Sequence, residues 1–356
     1  MRLRRARVDG PGYRRRRAGA GWTYWSPEGQ RITDPDVLSR ISSLRIPPAW
    51  TDVWICRWPN GHIQATGVDA AGRRQYLYHP DWRARRDAAK HERVLDMARR
   101  LPEARARVTG DLGRRGYPRR RVLAVAFRLL DLGFFRVGGE AYAEEHGTYG
   151  LATMRREHVR FSGDTVIFDY RAKGSKQRVQ ALVDPQVRRI LGGLVRRDDP
   201  SPELLAYRDG PAGRGPWRDV RSSDINDYVR EVLGMPATAK DFRTWHATVL
   251  MAVGLAVSVA APDTAVARRR AVSRAIGEVA SYLGNTPTVC RSSYIDPRVI
   301  DLYEQGRTIR GALDQLGSGG GHADPATHGA VEQAVLDLLT ADGEAGGGQG
   351  LRRPAR

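Results

Sequence analysis

Two cysteines, Cys56 and Cys290, are the only thiols in 356 residues. They stand far apart and outside any paired metal spacing, which argues against both a disulfide framework and a zinc site. Long apolar runs are also missing. The longest uncharged stretch, Ala247 to Pro262, falls short of the roughly 20 residues a membrane span needs and ends at proline, so it reads as a buried helix. The Arg-rich N-terminus has no apolar run followed by a small-residue cleavage site, so no secretory signal is expected and a reducing cytoplasm is the expected location. The chain also lacks a Gly-rich loop ending in Gly-Lys-Ser/Thr, a Gly-x-Ser-x-Gly and a His-Glu-x-x-His. Any chemistry must then come from side chains alone, with no metal and no cofactor expected.

What is abundant is positive charge. Lys and Arg number 59 against 40 Asp and Glu, a formal net charge of +19. Hydrophobic residues at 41% and charged residues at 28% are ordinary for a folded chain, so wholesale disorder is excluded. A surface this basic attracts polyanions, and nucleic acid is the usual one inside a cell, since each neutralised phosphate releases counterions. An anionic membrane surface is the competing target.

Residues 1–20 carry Arg4-Arg5 and Arg14 to Arg17 among glycines, a composition expected to remain a flexible basic tail. Residues 21–85 shift to short alternating segments: Trp22 to Trp25, Val53 to Cys56, His62 to Thr66 and Gln75 to Tyr78, separated by turns such as Pro59-Asn60-Gly61. These predict a small antiparallel β domain. From 86 to 316 the period is mainly helical, over 83–101, 121–132, 185–195, 223–233, 240–261, 264–283 and 297–316. One β interlude at 158–161, 165–171 and 177–183 predicts a small three-stranded sheet, with Lys173 and Lys176 at a hairpin tip. Thr286-Pro287 reads as an N-cap followed by a first-position proline, so a short helix should carry 288–294. Residues 317–356 read as a linker and tail with one short helix at 330–340. The expected fold class is α+β.

A phosphodiester can be cut without a metal if cationic side chains stabilise charge on the phosphorus oxygens while a side-chain nucleophile attacks. Four segments in the helical part supply such groups: Phe134-Phe135-Arg136-Val137-Gly138-Gly139-Glu140, Tyr170-Arg171-Ala172-Lys173-Gly174-Ser175-Lys176, Lys240-Asp241-Phe242-Arg243-Thr244-Trp245-His246, and Leu283-Gly284-Asn285-Thr286-Pro287 with Tyr294 nine residues past the asparagine. Each alone is ordinary: an ion-paired arginine, or a half-buried tyrosine. Together, in this order, the chain resembles the type IB DNA topoisomerases of the compact bacterial and poxvirus-like kind, over roughly residues 21–316.

The resemblance implies a fold like that of tyrosine recombinases and type IB topoisomerases, with a catalytic set of Arg136, Lys173, Arg243, Asn285 and Tyr294. It implies that Tyr294 attacks phosphorus, that Arg136 and Arg243 hold nonbridging oxygens, and that Lys173 protonates the departing oxygen, with Lys176 as the alternative. At Asn285 the viral members carry histidine; an amide still donates one hydrogen bond, without charge. The segments Arg45 to Trp50, His62 to Gly67 and Gly72 to Tyr78 look like the family's N-terminal clamp. By position Gln75, Tyr76, Tyr78 and Tyr142 would touch DNA, and the neighbouring Arg73 and Arg74 favour the same contact. Tyr76 and Tyr78 share a strand face, which ordinary packing would also explain. Trp245 is expected in the core, and His246 is either a second phosphate ligand or a structural histidine. His322 and His328 show no metal spacing.

The expected function is relaxation of supercoiled duplex DNA through a 3′-phosphotyrosyl intermediate, strand rotation and religation, without ATP or metal. The enzyme would be a monomer clamped around DNA of the nucleoid, with no membrane partner. A tyrosine recombinase shares a similar site but lacks the 21–82 β domain and usually shows Gly-Leu-Arg-x-Ser-Glu where this chain has Phe-Arg-Val-Gly-Gly-Glu. A non-catalytic basic protein that clamps DNA is the remaining alternative.

Overall fold

The computed structural model describes residues 1–210, 215–258, 264–317 and 328–345, without the side chains of 141–142, 316–317 and 342–345. They form two compact units that part between Glu92 and Arg93, within the helix Pro80–Leu112.

The first unit is an antiparallel five-stranded sheet in the order β2-β1-β3-β4-β5. Its strands are β1 (Tyr13–Ala18), β2 (Gly21–Trp25), β3 (Thr51–Ile55), β4 (Ile63–Val68) and β5 (Arg74–Tyr78), with helix α1 (Pro35–Ser43) inserted after β2. Helix α1 starts where Asp34 accepts from the Asp36 and Val37 amides and Pro35 takes the first position. Ile41 of α1 packs on Val53, Ile55 and Ala65, while Trp54 and Cys56 bury on the opposite face against Ala6. That split is the period-2 alternation of β3 expressed as two small cores.

The expected flexible tail is corrected by this sheet. The run Arg14 to Arg17 pairs with Trp22 to Trp25 as a hairpin across Gly19, whose φ is 55°. Composition misled here because the arginines do not need to bury their charge. Arg15 donates to the carbonyls of Ile46, Pro47 and Trp50 and lies 4.0 Å over the Trp22 ring. Arg16 lies 4.7 Å over Trp25, and Arg14 pairs with Asp52 at 3.1 Å. Aliphatic stems cover indole faces while guanidinium edges find carbonyls or water. Nearer the terminus, Arg4 bridges to Gly61 and covers Trp58.

The second unit is mainly helical: α2 (Pro80–Leu112), from Arg93 onward, then α3 (Arg119–Leu132), α4 (Glu140–His146), α5 (Pro185–Val195), α6 (Ser222–Leu233), α7 (Ala239–Val257), α8 (Ala265–Leu283), α9 (Pro287–Ser293), α10 (Pro297–Glu304), α11 (Arg310–Gly317) and α12 (Ala330–Ala345). A three-stranded sheet of β6 (Val159–Ser162), β7 (Thr165–Ala172) and β8 (Lys176–Val183) interrupts them, with a two-stranded pair β9 (Ala206–Arg208) and β10 (Trp217–Asp219). This is the α+β architecture expected. No helix among the described residues is long and apolar enough to cross a membrane.

Helix α7 is the centre of this unit. Phe242, Trp245, Ala247, Val249 and Met251 are wholly buried in one core with Phe127 of α3, and with Phe135 and Phe168. The long helix expected over 297–316 is two helices. Gly306 takes φ 80° and the Arg307 amide returns to the Leu302 carbonyl at 2.8 Å, an ending that only a left-handed residue permits cheaply. The end of the expected 240–261 helix, the linker and His322 lie partly or wholly outside the described residues. The C-terminal helix is not a tail: Val335, Leu336 and Leu339 of α12 are buried in the main core.

Candidate active site

The last turn of α8 organises the site. A helix end leaves four carbonyls without intrahelical donors, and their dipoles favour cations. Here three arginines take them. Arg178 on β8 donates to Ser281 and Tyr282, Arg243 on α7 donates to Leu283 at 2.8 Å, and Arg136, between α3 and α4, reaches Gly284 at 3.4 Å. Gly284 closes α8 in the left-handed conformation with φ 63°. A side chain there would press on the Arg178 guanidinium, at 3.0 Å.

Asn285 follows at once, its amide held by the Ala280 carbonyl at 2.9 Å. Its Oδ1 accepts from Arg136 at 2.5 Å, while its Nδ2 is buried without a hydrogen-bond partner among the described residues. Thr286 then caps α9 by accepting from the Val289 amide, with Pro287 in the first position. One short helix later, Tyr294 sits at the C-terminal cap with its amide on the Cys290 carbonyl at 3.0 Å.

Arg136 is placed by a tight backbone crossing. Its carbonyl accepts from Leu151 at 2.9 Å and the Val137 carbonyl from Ala152 at 2.8 Å. Between them Gly138 takes φ 82°, and a Cβ there would stand 2.9 Å from the Gly150 Cα. Only glycine fits at this crossing. Lys173 occupies the first turn position after β7, where Gly174 and Ser175 both take positive φ.

Arg136, Lys173, Arg243 and Tyr294 line one cleft of about 460 Å³, together with Lys240, Gly138, Gly139 and Tyr149. Asn285 adjoins it through Arg136. The Tyr294 ring lies 5.2 Å from the Arg243 guanidinium and 5.9 Å from the Lys240 ammonium. Arg243 is 2% exposed. It also donates to the Phe134 carbonyl, and its Nε has no hydrogen-bond partner among the described residues. Burial, with Arg136 nearby, brings its pKa down to about 10, so it is still charged at neutral pH. The cleft therefore concentrates four cations around one phenol in a partly desolvated space, a setting suited to a phosphate.

Sequence reasoning passed over Lys240 and Arg178. Lys240 carried a signal, since it stands three residues before Arg243 and so shares its helix face. Lys176 heads β8, exposed, and is not among the residues lining the cleft. Trp245 is core as expected. His246 is 1% exposed and packs edge-on to Phe134 and Phe242, outside the cleft lining. Burial drives its pKa down to about 3, so the ring is neutral.

The predicted DNA-contact residues of the first unit divide by face. Tyr76 and Tyr78 are 42% and 46% exposed and stack at 6.0 Å between centroids, with Arg74 exposed beside them. Gln75 points the other way and donates to Asp69 at 2.8 Å. Arg73 pairs with Asp69 at 2.9 Å and Arg74 with Asp52 at 3.2 Å. The Arg73 bonds help hold the Asp69 carboxyl down to about 2. Tyr142 lies on α4, but its side chain falls outside the described residues.

Comparison with known proteins identifies the family. Residues 79–316 match the family described as eukaryotic DNA topoisomerase I, catalytic core, and residues 21–69 match bacterial DNA topoisomerase IB, N-terminal domain. DNA topoisomerase 1B of Acanthamoeba polyphaga mimivirus is 26% identical over 295 residues, 79% of this chain and 84% of the relative. DNA topoisomerase 1B of Vaccinia virus (strain Copenhagen) is 20% identical over 291 residues, 78% and 88% of the two chains. DNA topoisomerase 1 beta of Arabidopsis thaliana is 25% identical over 266 residues, 70% of this chain and 27% of the relative. The match over residues 79–316 makes this chain an enzyme of the DNA topoisomerase class. Within that class the chain belongs to the type IB family.

Proposed function

We propose that this enzyme relaxes supercoiled duplex DNA by cutting one strand through a 3′-phosphotyrosyl intermediate formed on Tyr294. The observation that carries the reading is the Tyr294 ring beneath Arg243 and Lys240 in a cleft shared with Arg136 and Lys173. Attack by the phenolic oxygen forms the O–P bond and breaks the bond from phosphorus to the 5′ oxygen. The phenolic proton leaves through the open cleft to water, and Lys173 gives a proton to the departing 5′ oxygen. Arg136 and Arg243 take the nonbridging oxygens, and the free Nδ2 of Asn285 adds an uncharged donor.

Because the phosphotyrosyl link keeps the bond energy of the phosphodiester, rejoining is the reverse attack by the 5′ hydroxyl and no ATP enters. Side-chain cations supply the charge stabilisation that a metal supplies elsewhere. Between the two steps the free end rotates and supercoils of either sign are lost. The exposed Arg74, Tyr76 and Tyr78 face serves the first unit as a DNA contact, with guanidinium for phosphate and tyrosines for sugar and phosphate. We take the working form to be a monomer that clamps duplex DNA in the nucleoid.

The test is supercoiled plasmid incubated with the protein in EDTA without ATP. Relaxation to a ladder of topoisomers is expected. Intact supercoils overturn the reading, and defined joint products between two sites indicate a recombinase instead.

A further inference from the structure

We infer that Asp131, His246 and His328 form a site for a zinc-class divalent cation, which fastens the segment leading into α12 to the core helices α3 and α7. A carboxylate oxygen of Asp131 and one ring nitrogen of each histidine all lie within 4.8 Å of one another. Ligand atoms of a tetrahedral zinc bound at about 2.0–2.1 Å stand about 3.3 Å apart, so small side-chain rotations close the set. All three residues belong to the second unit.

His246 is the observation that asks for a ligand. The ring is 1% exposed, yet among the described residues neither Nδ1 nor Nε2 has a hydrogen-bond partner. A buried imidazole normally satisfies at least one nitrogen. A neutral imidazole has a lone pair to offer, and the polar groups that face this one are the Asp131 carboxylate, within 4.8 Å, and the His328 ring, with ring centroids 6.4 Å apart. His328 already turns to Asp131, its Nε2 lying 3.5 Å from Oδ1 and 3.0 Å from the backbone carbonyl.

The surroundings resemble the outer support of a metal ligand. Arg105 holds both Asp131 oxygens at 2.9 Å. Glu332 of α12 in turn accepts from Arg105 at 2.6 and 3.0 Å and from the Trp245 indole at 2.7 Å. A ligating carboxylate oriented by such a donor is the usual arrangement. Two imidazoles and one carboxylate select zinc over the all-oxygen preference of magnesium. None of the three residues lines the cleft, so the role of the site is to hold α12, not to take part in strand cleavage.

The experiment uses the full-length protein, stripped with chelator and desalted. With zinc chloride, one equivalent per chain should survive a second desalting, by elemental analysis. The thermal midpoint should rise on the order of 5 °C at a hundredfold excess over Kd. Cobalt(II) should give the intense visible bands of a four-coordinate ion, and magnesium should do neither. His328→Gln should lose all three responses while relaxing plasmid at the wild-type rate. Absence of stoichiometric zinc in the wild type, an octahedral cobalt spectrum, or an unchanged response in His328→Gln overturns the site. Relaxation without added metal is a separate readout, so failure there counts against the proposed function and not against this site.

Discussion

Arg136 donates to Asn285 Oδ1 at 2.5 Å, and the same asparagine keeps its Nδ2 buried and unpaired. One face of the amide holds the Arg136 guanidinium, and in the proposed reaction the other donates to the substrate phosphate.

Replacing Asn285 should therefore cost twice. Asn285→Ala removes the donor and frees Arg136, and single-turnover cleavage should slow on the order of 10²-fold. Asn285→His restores a donor and should come back to within about tenfold of wild type. Equal rates for the alanine variant and wild type would show that this amide does not meet the phosphate.

Lys173 and Lys176 separate cleanly in the structure, since only Lys173 lines the cleft. Lys173→Ala should slow cleavage by about 10²–10⁴-fold on ordinary DNA. The loss should largely vanish on a substrate with a 5′-thiol leaving group, which departs without a proton. Lys176→Ala should cleave at the wild-type rate. The reverse ranking would move the acid to Lys176.

Arg105 binds two buried carboxylates, Asp131 at 1% and Glu332 at 8% side-chain exposure. Arg105→Ala leaves both charges without their guanidinium and should destabilise the protein by roughly 3–5 kcal/mol in urea unfolding. A change below about 1 kcal/mol would mean that α12 contributes little to the core.

Burial lifts the Cys290 thiol up to about 11 and raises Cys56 as well. At pH 8 only about one Cys290 in a thousand is thiolate, which is the reactive form. Native protein at pH 8 should resist iodoacetamide at both positions, and unfolded protein should take up two labels, counted by mass spectrometry. Reactivity should rise as pH climbs toward 11.

Much of the site was readable because its groups fall on motifs with fixed local geometry. Gly284, Asn285, Thr286 and Pro287 announce a helix end, a cap and a helix start, and that is how the chain uses them. The role of the α8 carbonyls in seating Arg136, Arg178 and Arg243 was not readable, since backbone acceptors leave no trace in residue identity. Asp131, His246 and His328 are likewise invisible as a set, because long stretches of chain separate ligands that only the fold assembles. The Arg14 to Arg17 strand was misread for a different reason. Its stabilising partners, Trp22, Trp25 and three carbonyls, lie in neighbouring elements, and charge counted alone points toward disorder.

The central claim is the covalent step at Tyr294, and a suicide duplex that loses the short strand downstream of the cut measures it directly. Wild-type protein in EDTA should become covalently attached to the 3′ end of the cut strand and run as a slower band after denaturation. Digestion should leave the nucleotide on the peptide containing Tyr294. Tyr294→Phe should bind the same duplex and form no adduct. An adduct on another residue, or adduct formation by Tyr294→Phe, would contradict the account.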